Sequence, residues 1–121
     1  MAVSASFRTF VLEQLGRGIR GIRGRSMFGG VGVYAGERFF ALIDDDTLYF
    51  KVDDTTRPDF EARGMGPFRP SGDSGETMQY YQVPEEVLED LAELAIWAGK
   101  AVEVANRAKG RRSRRKARPE S

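Results

Sequence analysis

Three short segments rich in apolar, β-branched and aromatic residues follow one another between residues 25 and 52, and only tight turns separate them. The segments are 25–34, 37–43 and 47–52, with Ala35-Gly36 at the first turn and Asp44, Asp45 and Asp46 at the second. Segments of this length and composition form strands, and connections this short make neighbouring strands antiparallel. The sequence therefore predicts a three-stranded antiparallel meander, in which Leu48, Phe50 and Val52 face one side and Tyr49 and Lys51 the other.

Helical periodicity precedes the meander. A first helix is predicted over residues 4–16, with Ser4 or Ser6 as its N-cap. Its apolar face would consist of Phe7, Phe10, Val11 and Leu15. Residues 17–25, rich in glycine and arginine, then connect the helix to the first strand.

In the second half of the chain, the sequence predicts a short helix over 53–63 and strands over 67–71 and 77–83. A C-terminal helix is predicted to begin at Pro84 and to restart at Asp90. The stripe expected to pack onto the sheet is Leu91, Leu94, Ala98, Ala101 and Ala105. The order α-β-β-β-α-β-β-α indicates an α+β fold. It would have two layers, an antiparallel sheet of about five strands with the helices packed on one face.

The formal net charge of +1 results from two segments of opposite charge. Residues 1–106 carry 11 basic and 17 acidic side chains, whereas residues 107–121 carry 8 basic side chains and Glu120. Since 40% of the residues are hydrophobic, the first segment can bury a core. We therefore predict a folded domain over 1–106 and a basic, disordered tail over 107–121.

Composition also limits the chemistry. Without cysteine or histidine, the chain has no thiol nucleophile, no Cys-ligated metal site and no imidazole base. We predict that it is not an enzyme and that it has no catalytic, cofactor-binding or metal-binding residues. The apolar runs are far shorter than the roughly 20 residues that span a bilayer, and the N-terminus has no signal-peptide pattern. These features predict a soluble, cytoplasmic protein that does not contact membranes.

An ordered set of residues resembles the N-terminal domain of the TfoX/Sxy family, over roughly residues 5–105. The set begins with Arg25, Met27, Phe28, Gly29, Gly30, Gly32, Tyr34, Phe39, Ala41, Leu42, Asp46, Leu48, Tyr49, Lys51, Val52 and Asp53. It continues through Phe60, Phe68, Tyr80, Tyr81, Val83, Pro84, Glu85, Glu86, Leu88, Asp90, Leu94, Trp97 and Ala98.

The resemblance implies a stand-alone N-terminal domain. TfoX/Sxy proteins regulate natural competence by acting on transcription of DNA-uptake genes together with a cyclic-AMP receptor protein, and they carry a second, helical domain where this sequence has its basic tail. The resemblance thus implies a non-enzymatic regulatory or interaction domain. Its expected partner is a protein, such as a basic transcription component that would suit the acidic residues 1–106.

Two motifs have a structural and a functional interpretation. The cluster Gly29-Gly30-x-Gly32 lacks the lysine and the following helix of a phosphate-binding loop, so a strand bulge or a close backbone approach is favoured. The acidic residues Asp44–Asp46 and Asp53-Asp54 lack the spacing of a calcium loop. Roles as turn and cap residues are favoured for them.

The aromatic residues Tyr34, Tyr49, Tyr80, Tyr81 and Trp97 raise the possibility of a stacking platform for single-stranded nucleic acid. Alternation within strands turns about half of such residues into the core. Residues 44–106 also carry 5 basic against 15 acidic side chains, which disfavours contact with phosphates. Packing in the core and on the sheet is the favoured interpretation.

The basic segments are the strongest functional signal and give the alternative function, non-specific nucleic-acid binding through the basic tail. The candidate nucleic-acid-binding residues are Arg17, Arg20, Arg23, Arg25, Arg107, Lys109, Arg111, Arg112, Arg114, Arg115, Lys116 and Arg118. Such binding would be independent of sequence and sensitive to salt. A solubilising tail, or one that folds back on the acidic domain, remains the alternative interpretation of the same charges.

Overall fold

The computed structural model describes residues 4–27, 29–68 and 79–117, with side chains as far as residue 108. The helices are α1 (Ala5–Gly16), α2 (Arg57–Ala62), α3 (Glu85–Leu88) and α4 (Leu91–Ala117). The strands are β1 (Ile22–Met27), β2 (Gly30–Ala35), β3 (Arg38–Asp44), β4 (Thr47–Lys51) and β5 (Tyr80–Gln82). Within these residues the five strands form one antiparallel sheet in chain order, which confirms the predicted α+β class.

The first predicted strand, 25–34, is in fact a hairpin. Gly29 has a φ of +82°, a value that glycine adopts without strain, and the chain reverses there between β1 and β2. The connecting segment 17–25 is therefore partly strand, because β1 begins at Ile22. Within the described residues, the order of elements is α-β-β-β-β-α-β-α-α, with an additional strand before α2.

A bulge between β2 and β3 determines which side chains reach the core. The pairing shifts between Val33 and Tyr34, where Val33 lies opposite Ala41 and Tyr34 lies opposite Phe39. Phe40 is the extra residue, so consecutive Phe40 and Ala41 are both fully buried. The Phe40 ring packs against the Phe50 ring in the core, with 5.9 Å between their centroids.

The helices share one face of the sheet, as predicted. Helix α1 packs against β1, α4 packs against β3 and β4, and the two helices contact each other. Side chains that lie opposite one another in the antiparallel register point to this side, and they are buried. They are Val31, Val33, Ala41, Ile43, Leu48 and Phe50.

Helix α1 begins where its sequence predicts. The Ser4 side chain accepts a hydrogen bond from the Phe7 amide and acts as the N-cap. Val11 and Leu15 are buried, but Phe10 is 41% exposed, so the buried face is narrower than the predicted one. The backbone amide of Ser4 donates to Asp46 Oδ1 at 2.7 Å, which attaches the start of the helix to the β3–β4 turn.

The segment between β4 and α3 departs from the prediction. Helix α2 begins at Arg57 because residues 53–56 form a hydrogen-bonded turn, in which the Thr56 amide donates to the Asp53 carbonyl. Of the predicted strand 67–71, Pro67 makes one bridge to Tyr81, and residues 69–71 lie outside the described part. The strand predicted over 77–83 is Tyr80–Gln82, and its first two residues are also outside the described part.

The predicted restart at Asp90 is confirmed. Its Oδ1 accepts from the amides of Ala92 and Glu93, so it caps α4 directly after the short α3. The predicted stripe is buried except for its first member, Leu91, which is 44% exposed. Leu91 is the first residue of the helix and lies beyond the part of α4 that covers the sheet.

The predicted disorder after residue 106 is wrong for residues 107–117, because α4 continues to Ala117. Arginine, lysine and alanine favour helix, and a helix that tertiary packing has already nucleated extends at little cost. Residues 118–121 lie outside the described part. Within the described residues, no helix is both long and apolar enough to cross a membrane.

Two glycine substitutions should have opposite effects on stability. A Cβ on Gly30 would lie 2.6 Å from the Ile43 carbonyl oxygen, a backbone atom that cannot rotate away. We expect Gly30→Ala to lower the free energy of unfolding by about 2 kcal/mol. A Cβ on Gly99 in α4 meets no atom within 4 Å. Gly99→Ala should raise that free energy by up to about 1 kcal/mol, because alanine favours helix. Urea denaturation measures both, and equal effects would contradict the close contact at Gly30.

Candidate interaction surfaces

Arg107, the first residue of the predicted tail, is bound to the folded domain. Its Nη2 lies 2.9 Å from Asp53 Oδ2 and 3.2 Å from the Thr55 hydroxyl, and its Nε also donates to Asp53 Oδ2. One residue earlier, Asn106 accepts a hydrogen bond from Arg38 Nε. The basic part of α4 therefore starts from a fixed position on the helix layer of the sheet.

Asp53 is held as a carboxylate by this contact. Burial raises the pKa of Asp53. Hydrogen bonds from the Thr55 hydroxyl, from Arg107 and from the Thr55 amide lower it, as does the charge of Arg107, and together they outweigh the effect of burial. The net result is a pKa of about 2, below the ordinary 3.8. The first basic residue of the segment thus pairs with an acidic residue of the domain through its side chain.

The other candidate basic residues occupy three places. Arg17 is the C-cap of α1 and Arg20 lies in the α1–β1 turn, while Arg23 and Arg25 are exposed on β1. The backbone of α4 includes Lys109, Arg111, Arg112, Arg114, Arg115 and Lys116. Arg118 lies outside the described residues.

Arg20 lines an open cleft of roughly 780 Å³ at one end of the sheet. Arg38 and Asn106 line it as well, so an arginine of the N-terminal segment lies beside the point where α4 continues into its basic part. The Gly36 amide donates to the Gly21 carbonyl across the two turns that border the cleft. Arg23 Nε donates to the Gly36 carbonyl. Arg20, Arg23 and Arg38 are thus brought to one end of the fold.

The helix-free face of the sheet, which we call the open face, carries aromatic rings. The Tyr34 and Phe39 rings stack with centroids 5.2 Å apart, and the Tyr80 ring lies 5.7 Å from that of Phe39. Tyr49 contacts Phe68 edge to face at 4.9 Å. The prediction that the tyrosines pack on the sheet holds, but three of the four lie on this face, and Tyr81 and Trp97 pack against Phe60 on the helix side.

Cations lie at both ends of this aromatic row. The Arg23 guanidinium is 5.1 Å from the centroid of the Tyr34 ring, and Lys51 Nζ is 5.2 Å from that of Tyr80. Burial, together with the nearby Tyr34, raises the pKa of Tyr80 to about 12, so its hydroxyl stays protonated. Burial and the charges of Asp44 and Asp45 also raise the pKa of Tyr49.

A second surface, which we call the α3–α4 surface, combines acidic and apolar side chains at the start of the long helix. Glu85 and Glu89 are exposed on and after α3, and Leu91 and Ile96 are 44% and 57% exposed on α4. Arg63 lies beside them, 3.2 Å from Glu86 and over the Trp97 ring.

The acidic turns have structural roles. Asp45 and Asp46 both have positive φ, and Asp46 binds the Ser4 amide. In the described part of the chain, no group of three or more His, Cys, Asp or Glu side chains is arranged to hold a metal ion. The glycine cluster is a hairpin turn followed by a close approach at Gly30.

Sequence reasoning missed four residues of these surfaces: Arg38, Lys51, Leu91 and Ile96. Lys51 had a usable signal, because strand alternation places it on the same side as Tyr49. Ile96 also had a signal, because it falls outside the predicted stripe of the C-terminal helix, whereas Leu91 was predicted within that stripe and its exposure is not visible in the pattern.

The contact between Arg107 and Asp53 should appear in the pH dependence of stability. The lowered pKa means that the ionised carboxylate stabilises the fold above about pH 4 and that this contribution disappears as the pH falls towards 2. We expect Arg107→Gln to raise the pKa of Asp53 and to lower the free energy of unfolding at pH 7 by about 0.5–1 kcal/mol, since water screens the exposed arginine. Carboxyl NMR titration and urea denaturation measure the two effects.

The matched control is Arg57→Gln, which removes an ion pair to the highly exposed Asp54. It should leave the pKa of Asp53 unchanged. An unchanged Asp53 pKa in Arg107→Gln would contradict the assigned contact.

Comparison with known proteins places this fold. The family model described as the TfoX N-terminal domain matches residues 13–105, about three quarters of the chain, which include all five described strands, α2 and α3. No curated protein sequence matches the chain. The match covers the hairpin, the open face and the α3–α4 surface, and it ends just before Arg107. The chain belongs to the TfoX N-terminal domain family.

Proposed function

We propose that the protein is a cytoplasmic, non-catalytic regulatory domain that binds a protein partner through its α3–α4 surface. The observation that carries the proposal is the exposure of the large apolar side chains Leu91 and Ile96 at the start of α4, which follows the exposed acidic residues Glu85 and Glu89 in the chain. Exposed large apolar side chains in a region that also carries charged ones are typical of interaction sites.

The contacts of Arg63 make this surface well defined. Arg63 Nη1 lies 3.2 Å from Glu86 Oε2, Nη2 lies 3.9 Å from Glu93 Oε1, and the guanidinium covers the Trp97 ring. The Trp97 indole in turn donates to Glu93 Oε1. Two of the acidic side chains are thus held in fixed positions, and a partner would not have to order them on binding.

The titratable groups favour binding over catalysis. Asp53, whose pKa is lowered most clearly, is saturated by hydrogen bonds to Thr55 and Arg107. Tyr80, whose pKa is raised most, is buried in an aromatic row. Neither group lies in an enclosed cavity beside a second titratable group in the manner of an acid–base pair.

The chemistry of the surface specifies the partner as a basic, amphipathic protein segment. Lysine or arginine side chains would pair with Glu85 and Glu89, and apolar side chains would cover Leu91 and Ile96. A regulatory role in transcription fits a partner of this kind, because proteins that bind nucleic acid commonly carry basic segments.

The proposal is tested with a synthetic helical peptide of lysine and leucine, and with a glutamate–leucine peptide as the opposite-charge control. We expect the basic peptide to shift the amide NMR signals of residues 85–96 and to bind at least tenfold more tightly than the acidic one. Ile96→Ser and Glu89→Lys should each weaken binding of the basic peptide five- to tenfold, because one removes apolar contact and the other introduces repulsion.

The control variants carry the same kinds of substitution at exposed positions outside the α3–α4 surface. Phe10→Ser alters an exposed apolar residue of α1, and Glu37→Lys alters an exposed acid of the β2–β3 turn. Both should leave the peptide affinity unchanged. Equal weakening by Glu37→Lys would reduce the effect to net charge and overturn the assignment of the α3–α4 surface.

The continuation of α4 to Ala117 favours a second candidate function, non-specific binding of nucleic acid through the basic segment. A helix brings residues three and four apart to one face, so several basic residues can meet the phosphates of a duplex together. The segment carries seven basic residues between Arg107 and Ala117. Arg20 and Arg38, at the cleft beside Asn106, would extend the cationic surface onto the domain.

This second candidate predicts a steep salt dependence. The affinity of the full chain for a 20-base-pair duplex should fall with salt, and R111Q/R112Q/R114Q/R115Q should reduce the logarithmic slope by up to about 0.9 for each phosphate that the variant no longer neutralises. Lys100→Gln, which removes an exposed cation paired with Asp59, serves as the control. An unchanged slope in the quadruple variant, or no binding by the parent chain, would disprove this function.

A further inference from the structure

The open face combines three features that the proposed function does not use. Aromatic side chains from three strands meet on it, with Tyr34 and Phe39 stacked and Tyr49 against Phe68. The register places Arg25 beside Gly32, and Lys51 beside Tyr80, on the same face. The helices cover the opposite face, so the accessible parts of these side chains border solvent rather than the core.

One of the two reasons that disfavoured a stacking platform in the sequence fails in the structure. Alternation does bury part of the aromatic set, since Tyr80 is only 4% exposed and Tyr81 and Trp97 pack on the helix side, but Tyr34 and Tyr49 keep partly exposed rings on the open face. The acidic excess of residues 44–106 was expected to repel phosphates, but that excess lies largely elsewhere. The charged side chains that the strands place on the open face are Arg23, Arg25, Lys51 and Asp44.

We propose that the open face binds single-stranded nucleic acid, with a base stacked on the partly exposed ring of Tyr49, further bases laid against the exposed edges of the Tyr34–Phe39 stack, and phosphates paired with Arg23 and Arg25. Unpaired bases have two accessible π-faces, and aromatic side chains on a sheet bind them without sequence preference. Lys51, beside Tyr80, adds a cation at the opposite end of the aromatic row.

Neighbouring side chains cover the backbone at the centre of this face. Gly32 is buried, and a Cβ there would lie 2.7 Å from the Met27 methyl carbon and 3.1 Å from a Phe39 ring carbon. Met27 and Phe39 thus complete the apolar surface around Gly32, and Arg23 and Arg25 lie on the adjacent outermost strand.

A duplex does not satisfy the same groups. Its bases are stacked on each other and present only their edges in the grooves, so the aromatic rings of a broad sheet face have no base plane to contact. The open face should therefore prefer single strands, whereas the basic part of α4 should not. This preference separates the present proposal from binding through the basic segment, on which it does not depend.

The test uses the full chain with labelled 12-nucleotide oligo-dT, oligo-rU and a 12-base-pair duplex, in 300 mM salt to suppress contacts made by charge alone. We expect the two single strands to bind at least tenfold more tightly than the duplex. Their addition should shift the amide NMR signals of β2, β3 and β4 rather than those of α3. The preference should persist in R111Q/R112Q/R114Q/R115Q.

Substitutions on the two faces of the sheet give the decisive comparison. Tyr49→Leu keeps apolar contact but removes a stacking ring, and should weaken oligo-dT binding about tenfold with no change for the duplex. Tyr81→Leu, on the helix side, is the matched control and should have no effect on either. Arg25→Gln, at an exposed position that does not pack in the core, should lower the affinity about two- to fivefold and reduce the salt slope.

Each contrary result is informative. Equal affinity for single strands and duplex, or signal shifts confined to α4, would overturn the proposal and leave charge alone as the source of binding. Failure of both Tyr49→Leu and Arg25→Gln to weaken binding would also overturn it. If Tyr49→Leu lowered the melting temperature below the assay range, Arg25→Gln and the wild-type NMR shifts would decide.

Discussion

The rest of the structure depends on the close packing of α4 on the centre of the sheet. Ala98, Ala101 and Ala105 are small enough to bring the helix axis near the strands, and the fully buried Phe40 and Phe50 rings fill the space around them. This contact makes the sheet one-sided. Once α1 and α4 cover one face, the side chains of the other must either meet solvent or meet a partner, so every functional assignment follows from which residues lie on which side.

Local signals in the sequence were sufficient for much of the fold. The Ser4 cap, the restart at Asp90 and the alternation of Leu48 and Phe50 are each determined by interactions within a few residues, and each was predicted correctly. The hairpin at Gly29 was missed because glycines inside an apolar run indicate a bulge and a turn equally well. The helix beyond residue 106 was missed because its charge composition is typical of disorder. Anchoring of Arg107 to Asp53 is a tertiary contact that composition does not reveal.

The candidate sites were harder to predict than the fold, because a site depends on the relation between strands that are distant in sequence. Tyr34, Tyr49 and Tyr80 come from β2, β4 and β5, and only the pairing register between the strands puts them on one side. Without the extra residue Phe40, Phe39 would turn to the helix side and Tyr34 would lose its stacking partner. Charge misled for a similar reason, since the net charge of a segment does not say which of its side chains share a face. Arg23 and Arg25 lie outside the acidic stretch 44–106, and Lys51 lies within it but on the open face.

The one-sided sheet also separates the proposed binding surfaces. Glu89, Leu91 and Ile96 belong to the helix layer, whereas Tyr34, Tyr49 and Arg25 lie on the far face, with the thickness of the sheet between them. A protein partner on α3–α4 would therefore not displace a nucleic-acid strand from the open face. The basic part of α4 starts from the helix layer, held there by Asp53, and extends beyond the sheet from a fixed origin. Under the two proposals, a protein and a nucleic-acid strand would occupy opposite sides of one sheet at the same time.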